Sequence, residues 1–287
     1  MTSQIHPTAI IGPNVQLGMD VKIGPYCVVT GNITLHDRVE LIAHVTISGH
    51  TVIGADTTIF PFASIGHVPQ DKKYRGEDSV LIIGERNTIR EYVTMQPGTD
   101  VTGIMKTVVG NDCLFMAGTH VAHDCVLGNN IIMANLATLA GHVVVEDFAI
   151  IGGLSAVHQF VRIGRGAIIG GMSAVEHDVI PYGSVKGERA YIAGVNFVGM
   201  KRRGFTRTEI QAVLQTYRGL FAREKTLSER VEKLREVFQH QPRAMEILDF
   251  VCADSSRSLC MPKDYYDDAQ TTENDAQTTE PTTTTNV

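Results

Sequence analysis

From Val109 onward every sixth residue is apolar: Val109, Phe115, Val121, Leu127, Met133, Leu139, Val145, Ile151, Val157, Ile163, Ile169 and Val175. Four residues after each comes a small or β-branched one, such as Cys113, Thr119, Cys125, Ala137, Ala149, Ser155 or Ser173. The same spacing runs unbroken from the N-terminus through Ile5, Ile11, Leu17, Ile23, Val29, Leu35, Leu41, Ile47, Ile53, Ile59 and Ile65. A helix repeats every 3.6 residues and a flat strand every 2, so a strict six belongs to neither. A fixed short repeat with Gly, Asn and Asp between its apolar positions is the mark of a β-solenoid. Hexads wound three to a turn build a triangular prism, and the pattern therefore predicts a mainly-β chain folded as a left-handed parallel β-helix. Gly12, Gly18, Gly24, Gly54 and Gly66 each follow an apolar position, where a corner requires either φ > 0 or close backbone approach.

The repeat is interrupted twice. HVPQDKKYRGEDSVL replaces about two hexads after Gly66, and QPGTDVTGIMKT precedes Val109. Because Ile83, Ile89 and Met95 resume the count in phase, both stretches read as loops thrown out near 67–80 and 96–107 from a prism spanning 1–185. Loops on a rigid scaffold carry function more often than its strands do. The period ends near Pro181, and the stretch from there to Phe205 looks irregular, with turn-forming glycines. Thr206 with Glu209 three residues on is a capping box. It opens an amphipathic helix with Ile210, Val213, Leu214, Tyr217, Leu220 and Phe221 on one face. A second helix is expected from Ser228 to Phe238 and a third from Met245 to Ala253, giving a small helical domain over 186–261. The remainder, 262–287, is Thr-rich and acidic with almost no aliphatics, a composition expected to be disordered.

Composition narrows the function. The formal net charge of the 287 residues is −6, yet the segment after Met261 alone holds six acids and one lysine. The body is near neutral, which argues against nucleic acid as a partner. No apolar run is long enough for a membrane span, and no charged-then-apolar leader opens the sequence. Five scattered cysteines without a CxxC favour a reducing compartment, by default the cytoplasm. Between Lys201 and Lys225 seven basic residues stand against two acids. That face is either plain solvated surface or a dock for an acidic protein or a phosphate.

The candidate chemistry lies in the hexads. If eighteen residues make one coil, those starting at Val121, Leu139 and Val157 stack on one face at the ~4.8 Å strand spacing. His123, His142 and His158 each fall one to three residues into these hexads. One imidazole alone is more often a satisfied surface group, but three on adjacent coils near one corner point to a site.

Several strings are more specific than the repeat: QDKKY at 70–74, HVAHDC at 120–125, LAGHV at 139–143, VHQF at 157–160 and GVNFVGMKRRGF at 194–205. In this order, and with the hexads, they make the first 260 or so residues resemble the UDP-N-acetylglucosamine O-acyltransferase family, which opens lipid A biosynthesis. The resemblance implies transfer of a (3R)-3-hydroxyacyl group from acyl carrier protein to the 3-hydroxyl of UDP-N-acetylglucosamine. It implies His123 as general base, Asp124 as its orienting neighbour and the Gly141 amide as oxyanion donor. Gln70, Asp71, Lys73, His120, His142, His158 and Gln159 match positions around the sugar and acyl chain. Asn196, Arg202 and Arg203 match positions near the phosphates and pantetheine, and Gly171 the position that limits acyl length. Enzymes of this kind are homotrimers with sites between subunits, their helices receive acyl carrier protein, and they use no metal or other cofactor. Val198 stands where some members carry glutamate, and Arg189 where a histidine can stand.

Three rivals remain. A γ-class carbonic anhydrase would share the fold and bind zinc through histidines, but its HxxxxH spacing is absent. A related N-acyltransferase of the same pathway would carry a uridine-binding domain first, whereas hexads begin here at Ile5. A silent β-helix scaffold would need neither the histidines nor the basic helical end.

Overall fold

In the computed structural model, which describes residues 3–100 and 103–265, the hexads wind into a left-handed parallel β-helix with three sheets of eleven, nine and eight strands. Most strands are two residues long, and each pairs with the strand one coil away. Val121 lies beside Leu139, and Leu139 beside Val157. Both apolar positions of the hexad point inward. The sixth-residue set from Ile23 to Val175 and the residues four further on, such as Cys27, Val45, Ala63, Cys113, Cys125, Ala137 and Ala149, are all buried. At about 1.5–3 kcal/mol for each large aliphatic side chain removed from water, this column is the main favourable term in the fold.

The corners differ from the expectation set by glycine. Positive φ falls three residues after most core positions, and mostly on non-glycine residues such as Asp20, Tyr26, Arg38, His44, Phe62, Asp124 and His142. Of the five glycines singled out, only Gly66 is left-handed. The other four are there for close approach: a Cβ on Gly24 would strike the Ile42 carbonyl, and one on Gly54 would strike Gly84. Each left-handed non-glycine corner costs roughly 1–2 kcal/mol, which the two buried positions of the hexads from Ile23 onward offset.

Both interruptions leave the prism between the second and third sheets. Pairing resumes with Val80–Ile83 against His50–Ile53 and Lys106–Val109 against Val80–Ile83, so the loops leave the register intact. The stretch read as irregular after Pro181 is structured. Gly183–Lys186 and Tyr191–Val195 form an antiparallel hairpin that ends the first sheet, with Gly187 and Gly194 in positive φ. Among the described residues four helices of six residues or more follow: α1 (Phe197–Arg202), α2 (Arg207–Leu220), α3 (Leu227–Phe238) and α4 (Pro242–Cys252). The capping box of α2 forms as expected, and α3 has a second one from Thr226 and Glu229. Helix α4 begins before Met245 because Pro242, lacking an N–H, suits a first turn. Beyond α4 the chain returns to the prism as a strap, Ser255–Cys260, pinned on buried Asp178. Ser255 Oγ donates to that carboxylate at 2.7 Å, and the Cys260 amide to its carbonyl at 2.8 Å. Residues 266–287, most of the acidic segment, lie outside the described residues. No described helix is long and apolar enough to cross a membrane.

Candidate functional site

The second sheet and the corner that follows it form the floor of a cleft of about 490 Å³. His120 and Thr138 lie outward on its strands, and Gly141, His158 and Gln159 lie just beyond them. The first loop forms one wall with Gln70, whose amide donates to Gln96 Oε1 at 3.1 Å.

His123 is almost fully buried in this floor. Its Nδ1 lies 2.9 Å from Asp124 Oδ2 and its Nε2 3.7 Å from Asp71 Oδ2 on the loop. Asp124 occupies the left-handed corner position, with φ of 59°. Its carboxylate accepts from the Thr99 amide, the Thr99 hydroxyl at 2.7 Å and the Ile104 amide at 3.0 Å, and its own N–H donates to Thr107 Oγ1. Burial pushes this carboxyl's pKa up, but the hydrogen bonds from His123 and Thr99 outweigh it and hold it below the usual carboxylate value. An ionised Asp124 accepts from His123 Nδ1–H, which leaves the Nε2 lone pair free to take a proton.

Gly141 stacks on His123 one coil further along. A Cβ there would lie 2.5 Å from His123 Cε1 and 2.7 Å from Nε2, so no side chain fits beside the ring. Among the described residues no carbonyl accepts from the Gly141 amide. The two flanking imidazoles are held as neutral rings. Burial, then the neighbouring His123, lowers the pKa of His120, whose Nδ1 lies 2.7 Å from Thr94 Oγ1. Burial also lowers His142, against the opposing pull of Asp124, and the Asp71 and Lys73 charges reach this ring too.

The expected column of three histidines is not what stacks. His123, His142 and His158 sit at three different positions of their hexads. The columns are His123–Gly141–Gln159 and Asp124–His142–Phe160. His142 lies face to face with Phe160 at 4.4 Å and edge-on to His123 at 5.1 Å. His158 instead meets Arg257 of the strap at 2.6 Å.

Not every expected residue reaches the cleft. Gly171 lies at the preceding corner of its coil, three residues before the cleft strand Ala174–Val175, and next to exposed Met172. Asn196 and Arg203 serve the opposite corner. Asn196 caps α1 and donates to the Gly166 carbonyl at 3.0 Å, while the Arg203 guanidinium lies over Phe148, Tyr182 and Phe205. Arg202 is exposed, as are Val198 and Arg189. Conversely, Thr99, Ile104, Gln96, Phe160 and Arg257 were not anticipated. Phe160 was reachable by counting eighteen residues on from His142, and Gln96 by its place after Met95. Arg257, 99 residues from His158, had no local signal.

His123, Asp124 and His142 place one possible metal-ligand atom each within 4.8 Å of one another. The set does not suit a cation. The Asp124 oxygens are already taken by Thr99, Ile104 and His123, and bonding a metal would break that cradle.

Comparison with known proteins points the same way as the geometry. The family model described as "Udp N-acetylglucosamine O-acyltransferase; Domain 2" matches residues 178–260. An acyl-[acyl-carrier-protein]--UDP-N-acetylglucosamine O-acyltransferase of Rickettsia canadensis is 50% identical over 258 residues, 90% of this chain and 97% of its own. One from Rhizobium rhizogenes is 48% identical over 262 residues, 91% of this chain and 96% of its own. The solved UDP-N-acetylglucosamine acyltransferase of Francisella novicida is 34% identical and superposes with a TM-score of 0.88, covering 92% of this chain and 96% of its own. Half the residues of the Rickettsia enzyme recur over nine-tenths of this sequence, and the same prism with the same helical end recurs in the solved relative. The chain belongs to the acyl-[acyl-carrier-protein]--UDP-N-acetylglucosamine O-acyltransferase family.

Proposed function

We propose that this chain transfers a (3R)-3-hydroxyacyl group from acyl carrier protein to the 3-hydroxyl of UDP-N-acetylglucosamine, the first step of lipid A biosynthesis, with His123 as general base. The observation that carries this reading is the His123–Asp124–Gly141 arrangement. A buried base has its Nδ1 tied to a cradled carboxylate, and a bare glycine lies against its reactive edge.

A sugar hydroxyl is a poor nucleophile at neutral pH, so its proton must leave as the C–O bond forms. His123 Nε2 accepts that proton, and Asp124 stabilises the imidazolium without taking the proton itself. The hydroxyl oxygen adds to the thioester carbonyl, and the tetrahedral oxyanion receives the Gly141 N–H. On collapse the C–S bond breaks, and the pantetheine thiolate recovers the proton from His123. Asp71, whose carboxylate lies 3.7 Å from Nε2, and Lys73, two residues on, hold the sugar against the base in this reading. His120, His142, His158, Gln159 and Gln70 complete the sugar and acyl contacts, while Asn196, Arg202 and Arg203 serve phosphate and pantetheine from another corner of the prism. Every one of these groups is a protein side chain or amide, and the transfer as drawn needs no cofactor.

Sites divided between corners make sense in a homotrimer, where one prism's cleft faces its neighbour's edge. The edge between the first and second sheets supports that assembly. Tyr26, His44, Phe62 and Tyr92 stack along it at 5.0–5.2 Å, and Leu136, Leu154 and Met172 continue the exposed line. An apolar ridge of this length is suited to burial against a second copy. Gly171 lies on it, so the acyl chain would run between prisms. The prism of 1–185 then supplies the chemistry, and the helical part of 186–261 receives the carrier. Five free cysteines, four of them buried, fit a reducing cytoplasm.

The test is the purified chain with 3-hydroxyacyl-acyl carrier protein and UDP-N-acetylglucosamine, with the product read by mass and ester position. A 3-O-acyl sugar nucleotide is expected. Acyl transfer only to an amino sugar, or none to either acceptor, would overturn the reading.

A further inference from the structure

The strap Ser255–Cys260 is fixed before it reaches the cleft. Asp178 beneath it is wholly buried, Arg162 binds that carboxylate through its amide at 2.8 Å and its Nε at 2.7 Å, and Ser255 Oγ reaches the same group. The Ser258 hydroxyl meets His177 Nδ1 at 2.9 Å. Between these anchors Arg257 stands where the cleft borders a second cavity of about 510 Å³ lined by α2, α3 and the strap. Its guanidinium forks across two consecutive cleft residues: Nε donates to the Gln159 carbonyl at 3.0 Å, and Nη2 lies 2.6 Å from His158 Nδ1.

Arginine has five N–H donors and no acceptor. At 2.6 Å its partner nitrogen must present a lone pair, so His158 Nδ1 is unprotonated and the ring proton sits on Nε2. The competing arrangement, Nδ1–H directed at the Gln159 carbonyl, has a 3.4 Å separation and would aim two N–H groups at each other. We propose that Arg257 is a positioning residue that locks His158 in its Nε2-protonated form, so that this edge of the acyltransferase cleft offers substrate a hydrogen-bond donor and not a lone pair. The assignment extends the reading of the cleft given above, but the tautomer itself rests only on the strap geometry.

The experiment uses the full-length protein labelled with ¹⁵N-histidine, with the His158 signals identified by their loss in His158→Gln. In the wild type the ring should show the Nε2–H pattern. Arg257→Ala should shift it towards a mixture of tautomers, and Arg257→Lys, still a donor only, should keep it. An Nδ1–H ring in the wild type, or an unchanged ring in Arg257→Ala, overturns the proposal. In the acyl-transfer assay Arg257→Ala should lower kcat/KM about three- to tenfold, the size of one neutral hydrogen bond. The double variant with His158→Gln should be no slower than His158→Gln alone, and an additive loss would mean that Arg257 does not act through His158. A chain inactive with these substrates would sink the functional reading while the ring spectrum still decides the tautomer.

Discussion

Asp124 holds a strained left-handed corner, and its carboxylate is bound by a loop that sequence spacing marks only as an interruption. HVAHDC was enough to single out His123 and Asp124 as candidates, but the Thr99 and Ile104 cradle was not legible, because nothing in a polar loop says which amides will converge on one carboxylate. The geometry also separates three histidines that spacing had grouped, since a shift of one residue at a prism corner moves a ring into another column. His120 and His142 have folded pKa values lowered from 6.5, burial being the largest cause for both. The unfolded chain therefore binds more protons below about pH 6.5, and stability must fall as pH drops from there towards the folded values. Asp124 acts lower on the scale: its contribution is present above 3.8 and lost only as pH falls through its depressed value. Urea midpoints at pH 7.5 and 5.5 check this. His120→Gln should show a smaller acid-side loss than the wild type, and an equal loss would mean the ring is not held neutral by the fold.

The strands, corners and helices were legible to different degrees. Six-residue spacing settles the prism because both its apolar positions are buried from Ile23 to Val175, and Thr206 with Glu209 settles the start of α2. The hairpin after Pro181 escaped because its glycines read as breakers, whereas Gly187 in positive φ opens the turn back on the first sheet and Gly194 lies within the second strand. Gly171 belongs at this scale. Its backbone is not left-handed, and a Cβ there would meet only the Gly153 backbone, at 3.3 Å from the carbonyl oxygen, so a side chain requires that carbonyl to give slightly. Gly171→Met should shift donor preference several carbons shorter, each lost buried methylene counting for about 0.8 kcal/mol. Competition between acyl carrier proteins of different chain lengths measures it, and an unchanged preference would place the end of the acyl channel elsewhere.

At the scale of the whole molecule, an apolar ridge and a basic cluster lie on different parts of the chain. The stacked ridge from Tyr26 to Tyr92 lies along one prism edge, and the basic residues gather at the helical end. Of the seven basic residues there, Arg203 is half-buried against three rings, Lys201 lies over Phe197 and Arg223 over Tyr265, so the free basic face is smaller than composition suggests. Reversing Arg218 and Arg223 to Glu should still raise KM for acyl carrier protein and reduce its sensitivity to salt. An unchanged KM would leave the face as plain surface. The central claim is that the buried His123, oriented by Asp124, takes the sugar's proton in the cleft. It is tested most directly by kcat of His123→Ala, with the assembly state measured by light scattering on the same sample. The account predicts an unaltered oligomer with kcat lowered about 10²–10⁴-fold. Near-normal turnover by a correctly assembled His123→Ala protein would contradict it.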